Sequence, residues 1–456
     1  MANRGTIAIR IIRACHELGI PTLAVYSTAD RDSLHVRMAD ESVCIGPPQA
    51  EASYLNIPAI VSTALTYGAD AVHPGYGFLS ENGDFAEACR RSGVHFVGPE
   101  ARHIRLMGDK PRARRIMIRA GVPVLPGSEG KGVTELKDAA ADAKRLGYPV
   151  LIKAAAGGGG KGMRVVRDDK ELARLFPLAR SESEAAFGSR TMYLEKYLER
   201  ARHVEFQILA DQNRNVIHLA ERDCSIQRRH QKVIEESPCP VMTSRLRDKM
   251  GAAAVRAAGI VGYSNVGTVE FLLAQSGEFY FIEMNTRIQV EHGVTEMVTG
   301  TDLVKESIRV AMGEPLRMKQ RQLRIVGNSM EFRIYAEDPV THLPSPGVVS
   351  NHHPPGGLGV RVETALYDGY RVPVEYDPLI AKLIVHAEDR PKAIARAKAA
   401  LREYMIDGIK TNIPLHLKIL EDPDFVRGQF ATDFLTRYEN APAPEIRPVA
   451  VTAKAS

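Results

Sequence analysis

The stretch YPVLIKAAAGGGGKGMRVVRD, residues 148–168, constrains the fold more than any other part of the chain, because it sets four consecutive glycines between two apolar, strand-like runs. Gly157 to Gly162 formally matches G-x-G-x-x-G, a weak pattern alone. A dinucleotide fingerprint must open a helix at the pyrophosphate, whereas this loop runs into β-branched MRVVRD. A Walker A loop needs a Ser or Thr after its lysine to hold magnesium, and Gly162 follows Lys161. What remains is a glycine hairpin whose backbone N–H groups close on phosphate oxygens, with Lys153 and Lys161 adding charge at its margins. The competing reading, a flexible linker, fits poorly between two apolar strands.

A second segment, GTVEFLLAQSGEFYFIEMNTR, residues 267–287, reads as two strands around a Ser276-Gly277 turn. A two-residue turn pairs Gln275 with Glu278 and, counting back, Glu270 with Glu283. Directly opposed carboxylates, with Cβ atoms about 5 Å apart, destabilise a sheet, so a cation is expected between them. Asn285 lies two residues beyond Glu283 on the same strand face, which completes an oxygen-rich set of the kind that holds Mg²⁺ with nucleotide phosphates. A turn one residue longer would offset the two acids and weaken that geometry.

At 456 residues the chain exceeds one ordinary core. Ile7, Ile11, Ile12 and Cys15 recur at helical spacing before Gly19, which predicts an opening helix and outweighs a reading of the arginine-rich start as a presequence. The short strands PTLAVYS, ESVCIG, DAVHPG and VHFVGP then alternate with helical stretches, which predicts a doubly wound parallel sheet over residues 1–98. A basic helical connector, 99–126, ends at the Pro/Gly-rich VPVLPGSEG. A small α+β module covers 127–198, a strand-rich region covers 199–330, and a further unit covers 331–440. An Ala/Pro-rich tail, 441–456, is expected to be disordered.

Sixty Lys and Arg against fifty-five Asp and Glu leave a formal charge of +5, a weak pointer to anionic ligands. Without basic runs interleaved with aromatics, nucleic acid is not the expected main partner. Five cysteines without C-x-x-C spacing argue against a disulfide framework or zinc site and suit a reducing, cytoplasmic compartment. No apolar run approaches the ~20 residues of a membrane span.

Beyond these features, ANRG at residues 2–5, HPGYGFLSEN at 73–82, LMGDK ending at Lys110, KAAAGGGGKGMRVV from Lys153, EKYLERARHVEFQ from Glu195, ERDCSIQRRHQKVIEE from Glu221, FIEMNTRIQVEH from Phe281, EFRIYAED from Glu331 and DGIKTN from Asp407 stand in this order. Together they resemble the biotin carboxylase family over nearly the whole chain. The resemblance implies an ATP-grasp fold: an N-terminal doubly wound domain, a mobile lid carrying the glycine loop, a catalytic core and a mixed-sheet C-terminal domain, assembled as a homodimer. It implies ATP contacts at Lys110, Lys153, Gly159, Gly160, Glu195, Lys196, Tyr197, Leu198, His203 and His230, with Glu270, Glu283 and Asn285 holding Mg²⁺ or Mn²⁺. Bicarbonate then falls to Lys232, Arg287, Gln289, Val290 and Glu291, with Glu291 as general base. Arg333 meets the biotin ureido group and Tyr76 walls the biotin pocket.

The chain departs from the family pattern in three places. A first apolar strand before ANRG is missing, which suggests that the natural protein starts upstream. Thr6 replaces an acidic residue, and Gly293 replaces a proline and is expected to loosen the backbone beside Glu291. No Met-Lys-Met biotinyl site follows the C-terminal region, so the resemblance implies a separate biotin carboxyl carrier protein, with carboxyltransferase subunits as further partners. Another ATP-grasp ligase, such as a carbamoyl-phosphate-forming enzyme, and a non-catalytic scaffold of a carboxylase complex are the competing functions.

Overall fold

The computed structural model describes residues 1–128, 132–155 and 163–439. The opening helix runs Gly5–Glu17 and stops before Gly19, whose φ of +70° suits a residue without Cβ. The four strands expected after it form two parallel pairs, Leu23–Ser27 with Glu41–Gly46 and Ala71–Val72 with His95–Phe96. Residues 1 and 2 bridge the pairs: the Val25 amide donates to the Met1 carbonyl and the Ala2 amide to the His73 carbonyl. The connector supplies two helices, Ala101–Gly108 and Lys110–Arg119.

The small module has a three-stranded sheet, with Val150–Ala154 between Arg164–Val166 and Met192–Lys196. Helices Leu136–Leu146 and Asp169–Phe187 cover one face. Alternate residues Val150, Ile152 and Ala154 are buried with Phe176 and Leu194, which leaves Lys153 on the opposite face. The glycines of the loop, including Gly159 and Gly160, and the tail 441–456 lie outside the described residues.

An eight-stranded sheet dominates the rest, in the order Phe279–Asn285, Asn265–Leu273, Arg202–Ala210, Val216–Arg228, Gln231–Ser237, Asn328–Tyr335, Leu379–Ala387 and Val360–Thr364. The expected boundary at 330/331 therefore falls inside a strand. Ile234–Ser237 pairs with Ser329–Phe332, so the core and the C-terminal unit share one continuous sheet. Helices pack on both faces and bury even alternate positions, which hides the period-two pattern of a half-exposed strand.

The acidic hairpin pairs Glu270 with Glu283 as expected, by a different route. The Ala274 amide bonds the Glu278 carbonyl, so the loop holds three residues, Gln275 to Gly277. A bulge then leaves Ile282 without a partner and restores the register at Glu270. Gly293 also differs from expectation. It sits buried in helix His292–Thr299, where a Cβ would lie 2.3 Å from Ile384 Cδ1, so it serves close packing rather than backbone freedom.

Candidate active site

A cleft of about 640 Å³ opens between the small module and the large sheet. At its module end, Lys153 pairs with Glu195; beside it, Lys110 Nζ on the connector helix lies 3.5 Å from Glu283 of the large sheet. Lys196 Nζ donates to the carbonyls of Gly147 and Tyr148 at 2.8 and 2.9 Å, while Tyr197 and Leu198 carry the chain from module to sheet. His230 lines the cleft from the tight turn between two sheet strands, with φ of +65°.

The sheet end is built by register. Glu283 faces Glu270, Glu270 faces Glu205, and Glu205 faces Arg222, a row across four strands. Three adjacent acids demand cations. Lys232 reaches across with Nζ 2.6 Å from Glu205, 3.0 Å from Glu270 and 2.6 Å from Glu291. Arg222, wholly buried, donates to Glu205, Gln207, Thr295, Thr268 and Gln289 at 2.6–3.1 Å. Burial alone would depress the Lys232 ammonium, but Glu205, Glu270 and Glu291 hold it well above its ordinary value.

Glu270 is enclosed by donors. Its Oε1 accepts from Lys232, from Asn285 at 2.7 Å and from Gln289 at 2.7 Å, and its Oε2 lies 2.8 Å from His203 Nε2. Burial would raise its pKa, yet Lys232 and His203 hold it well below the carboxylate range. Glu270, Glu283 and Asn285 offer two carboxylates and an amide oxygen, hard donors that fit Mg²⁺. His203, Glu205 and Glu270 also converge, a set that shares Glu270 with the first.

Glu291 sits where the loop after the hairpin enters helix His292–Thr299 and is 2% exposed. Lys232 Nζ touches its Oε1, and Arg333 Nη2 touches its Oε2 at 3.0 Å. Burial pushes this carboxyl up; Lys232, Arg333 and Arg222 outweigh it and hold it far below the usual range. Arg287 Nη2 donates to Asn285 Oδ1 at 3.1 Å, and its Nε pairs with Glu81 at 3.1 Å. Gln289 is locked between Arg222 and Glu270, and the Val290 carbonyl accepts from Lys382 at 2.6 Å.

Every described candidate thus lines one cleft except Tyr76. Tyr76 packs on the opening helix with its hydroxyl 2.9 Å from Thr6 Oγ1 and does not line this cleft. Sequence reasoning missed Glu205, Arg222, Glu235, Glu81 and Lys382, as well as Thr432, Asp433 and Thr436, which reach the cleft from the C-terminal segment. Glu205, Arg222 and Glu235 stand inside the strings HVEFQ, ERDC and VIEE, but nothing in those strings signals that charged residues are buried.

Family models match the chain in three parts: a biotin carboxylase N-terminal domain over residues 1–104, the ATP-binding domain of the carbamoyl-phosphate synthase L chain over 109–319, and a biotin carboxylase C-terminal domain over 331–437. The chain is 57% identical to biotin carboxylase of Haemophilus influenzae over 94% of this chain and 95% of the relative. It is 56% identical to biotin carboxylase 1 of Bacillus subtilis over 96% and 98% of the two chains. Among solved structures it is similar to the biotin carboxylase domain dimer of 2-oxoglutarate carboxylase from Hydrogenobacter thermophilus, a complex with magnesium ADP and bicarbonate. The TM-score is 0.93 at 50% identity, with 96% of each chain covered.

Proposed function

The chain belongs to the biotin carboxylase family, and from that premise we propose how the cleft divides the work of ATP-dependent biotin carboxylation among its residues. The central family model alone fits a carbamoyl-phosphate-forming ligase equally well. The flanking domains decide against that alternative.

Lys110, Lys153, Glu195 to Leu198, His203 and His230 take the nucleotide, with Gly159 and Gly160 closing on its phosphates. Glu270, Glu283 and Asn285 hold Mg²⁺, or Mn²⁺, which when bound offsets charge on the phosphate oxygens. Arg287 and Lys232 fix the bicarbonate anion, Arg287 through its planar fork, beside Gln289 and Val290. Glu291 accepts the bicarbonate hydroxyl proton as the oxygen attacks the γ-phosphorus; ADP leaves, and carboxyphosphate forms.

The observation that carries this reading is Glu291 held between Lys232 at 2.6 Å and Arg333 at 3.0 Å. A carboxylate so stabilised is a weak base. Bicarbonate, by drawing Lys232 to itself, and biotin, by drawing Arg333, each remove a cation from Glu291 and raise its basicity when substrates are in place. Carboxyphosphate then breaks its C–O bond to the phosphoryl group, giving CO₂ and phosphate; the phosphate takes the ureido N–H proton, and Arg333 stabilises the resulting enolate-like anion as its nitrogen attacks CO₂.

The proposed partners are a separate biotin carboxyl carrier protein, carboxyltransferase subunits and a second copy of the chain, and the proposed compartment is the cytoplasm. The five cysteines are unpaired, which agrees with a reducing compartment. Among the described residues no helix is long and apolar enough to cross a membrane. ADP release measured with and without free biotin in bicarbonate buffer tests the function. Stimulation by biotin is expected; biotin-independent release with carbamoyl phosphate as product contradicts it.

A further inference from the structure

Glu235 and Glu331 are direct cross-strand partners in the large sheet, and both are wholly buried. Such opposed acids, about 5 Å apart at Cβ, repel when both are ionised. Glu235 Oε2 and both oxygens of Glu331 make no hydrogen bond, a costly state for buried carboxylates. The remaining oxygen, Glu235 Oε1, takes Arg333 Nε at 2.5 Å. Lys382 Nζ stays 3.6 Å from Glu331, being committed to Glu363 and the Val290 carbonyl at 2.6 Å each.

We propose that this pair holds one proton, seated on Glu331, and that the remaining Glu235 carboxylate is the positioning residue that aims Arg333. The inference rests on the reading of Arg333 as the group that meets biotin. Arg333 bonds both Glu235 and Glu291, so when it turns from Glu291 to the substrate, the Glu235 contact is the pivot that remains. The surroundings agree. Glu235 is faced by Arg333 and Tyr335 from the next strand, Glu291 from the loop, Lys232 from its own strand and Cys224 from the other neighbour. Glu331 is faced by Lys382 and Glu363 from the outer strands, by Arg333 and Glu235, and by Tyr76. Burial pushes Glu331 well above the ordinary value of 4.5 and Glu235 up to about 7, Arg333 opposing the latter.

The Glu235 carboxylate is therefore present above about pH 7 and lost below it, so KM for biotin rises on acidification. Glu235→Gln is expected to raise KM for free biotin on the order of tenfold, leave KM for ATP unchanged and flatten that pH dependence. Glu331→Gln, an amide in place of a neutral acid, is expected to keep wild-type kinetics. It should also change stability in a defined direction. Native Glu331 holds a proton that the unfolded chain releases above pH 4.5, so wild-type stability falls as pH rises and the variant lacks that loss. Infrared difference spectra at pH 8 should show a protonated-carboxyl band in the wild type that Glu331→Gln removes.

If Glu331→Gln raises KM for biotin as far as Glu235→Gln does, or removes no such band, the proposal is overturned. Should Glu235→Gln fail to fold, Glu235→Asp is expected to raise KM for biotin, and an unchanged KM overturns the positioning role. Arg333→Lys separates the two levels: if it leaves KM for biotin unchanged, the functional reading of Arg333 fails, whatever the infrared band shows.

Discussion

The two ends of the cleft are built on different terms. Toward the module, where the connector helix meets the outer hairpin strand, one charged pair is partly exposed and loosely tied: the Lys110 and Glu283 side chains keep 26% and 34% of their surface and sit 3.5 Å apart. At the sheet end Glu205, Arg222 and Lys232 form a buried, mutually saturated set with contacts near 2.6 Å. On the proposed reading, an end that leaves its charges available gains its contacts from the nucleotide. An end that is already cross-tied has its reacting groups placed before substrate arrives, and bicarbonate, a small and poorly nucleophilic anion, needs that preorganisation.

Substitutions that spare one end and damage the other sharpen this contrast. The largest effect is expected from Glu291→Gln, which keeps the shape but cannot accept a proton: bicarbonate-dependent ATP cleavage should fall roughly 10²–10⁴-fold while nucleotide binding, followed by fluorescence titration, stays near wild type. Glu205→Ala leaves Arg222 and Lys232 short of a buried partner, and chemical denaturation should show a loss of about 3–5 kcal/mol. A loss below about 1 kcal/mol, the range of an exposed ion pair, would mean that the sheet-end network is not a saturated unit.

Gly293→Ala forces a methyl against Ile384 Cδ1, with an expected cost of about 1–3 kcal/mol; adding Ile384→Val, which removes that atom, should restore part of it. The smallest stability change belongs to Glu283→Ala. The Lys110 pair is partly exposed, so folding should shift by less than about 1 kcal/mol, yet the magnesium concentration for half-maximal activity should rise. Strong destabilisation there would place Glu283 among the structural acids of the sheet end and erase the contrast.

The opening helix, the glycine-loop module and the acidic hairpin are legible in sequence because each rests on local chemistry: helical spacing, turn residues and β-branching. The Glu270–Glu283 pairing comes out right through two offsetting irregularities, a three-residue loop and a bulge at Ile282, neither of which the sequence signals. Glu205, Arg222 and Glu235 cannot be read because a sheet covered on both faces buries alternate positions alike, and a buried ion network depends on register between strands far apart in sequence. The continuity of the sheet across residue 331, where the family model of the C-terminal domain also begins, is hidden for the same reason, since strand pairing ignores changes in local composition. Gly293 reads as backbone freedom in sequence because its neighbour Ile384 is about ninety residues away.

In the proposed mechanism the deciding step is attack on ATP by a bicarbonate oxygen with Glu291 taking the proton, and isotope transfer tests it most directly. The chain would be supplied with ATP, magnesium, biotin and bicarbonate labelled with heavy oxygen, and the released phosphate examined by mass spectrometry. One labelled oxygen per phosphate is predicted for the wild type, with the rate of transfer falling in parallel with ATP cleavage in Glu291→Gln. Phosphate carrying only solvent oxygen, or undiminished transfer in that variant, would contradict it.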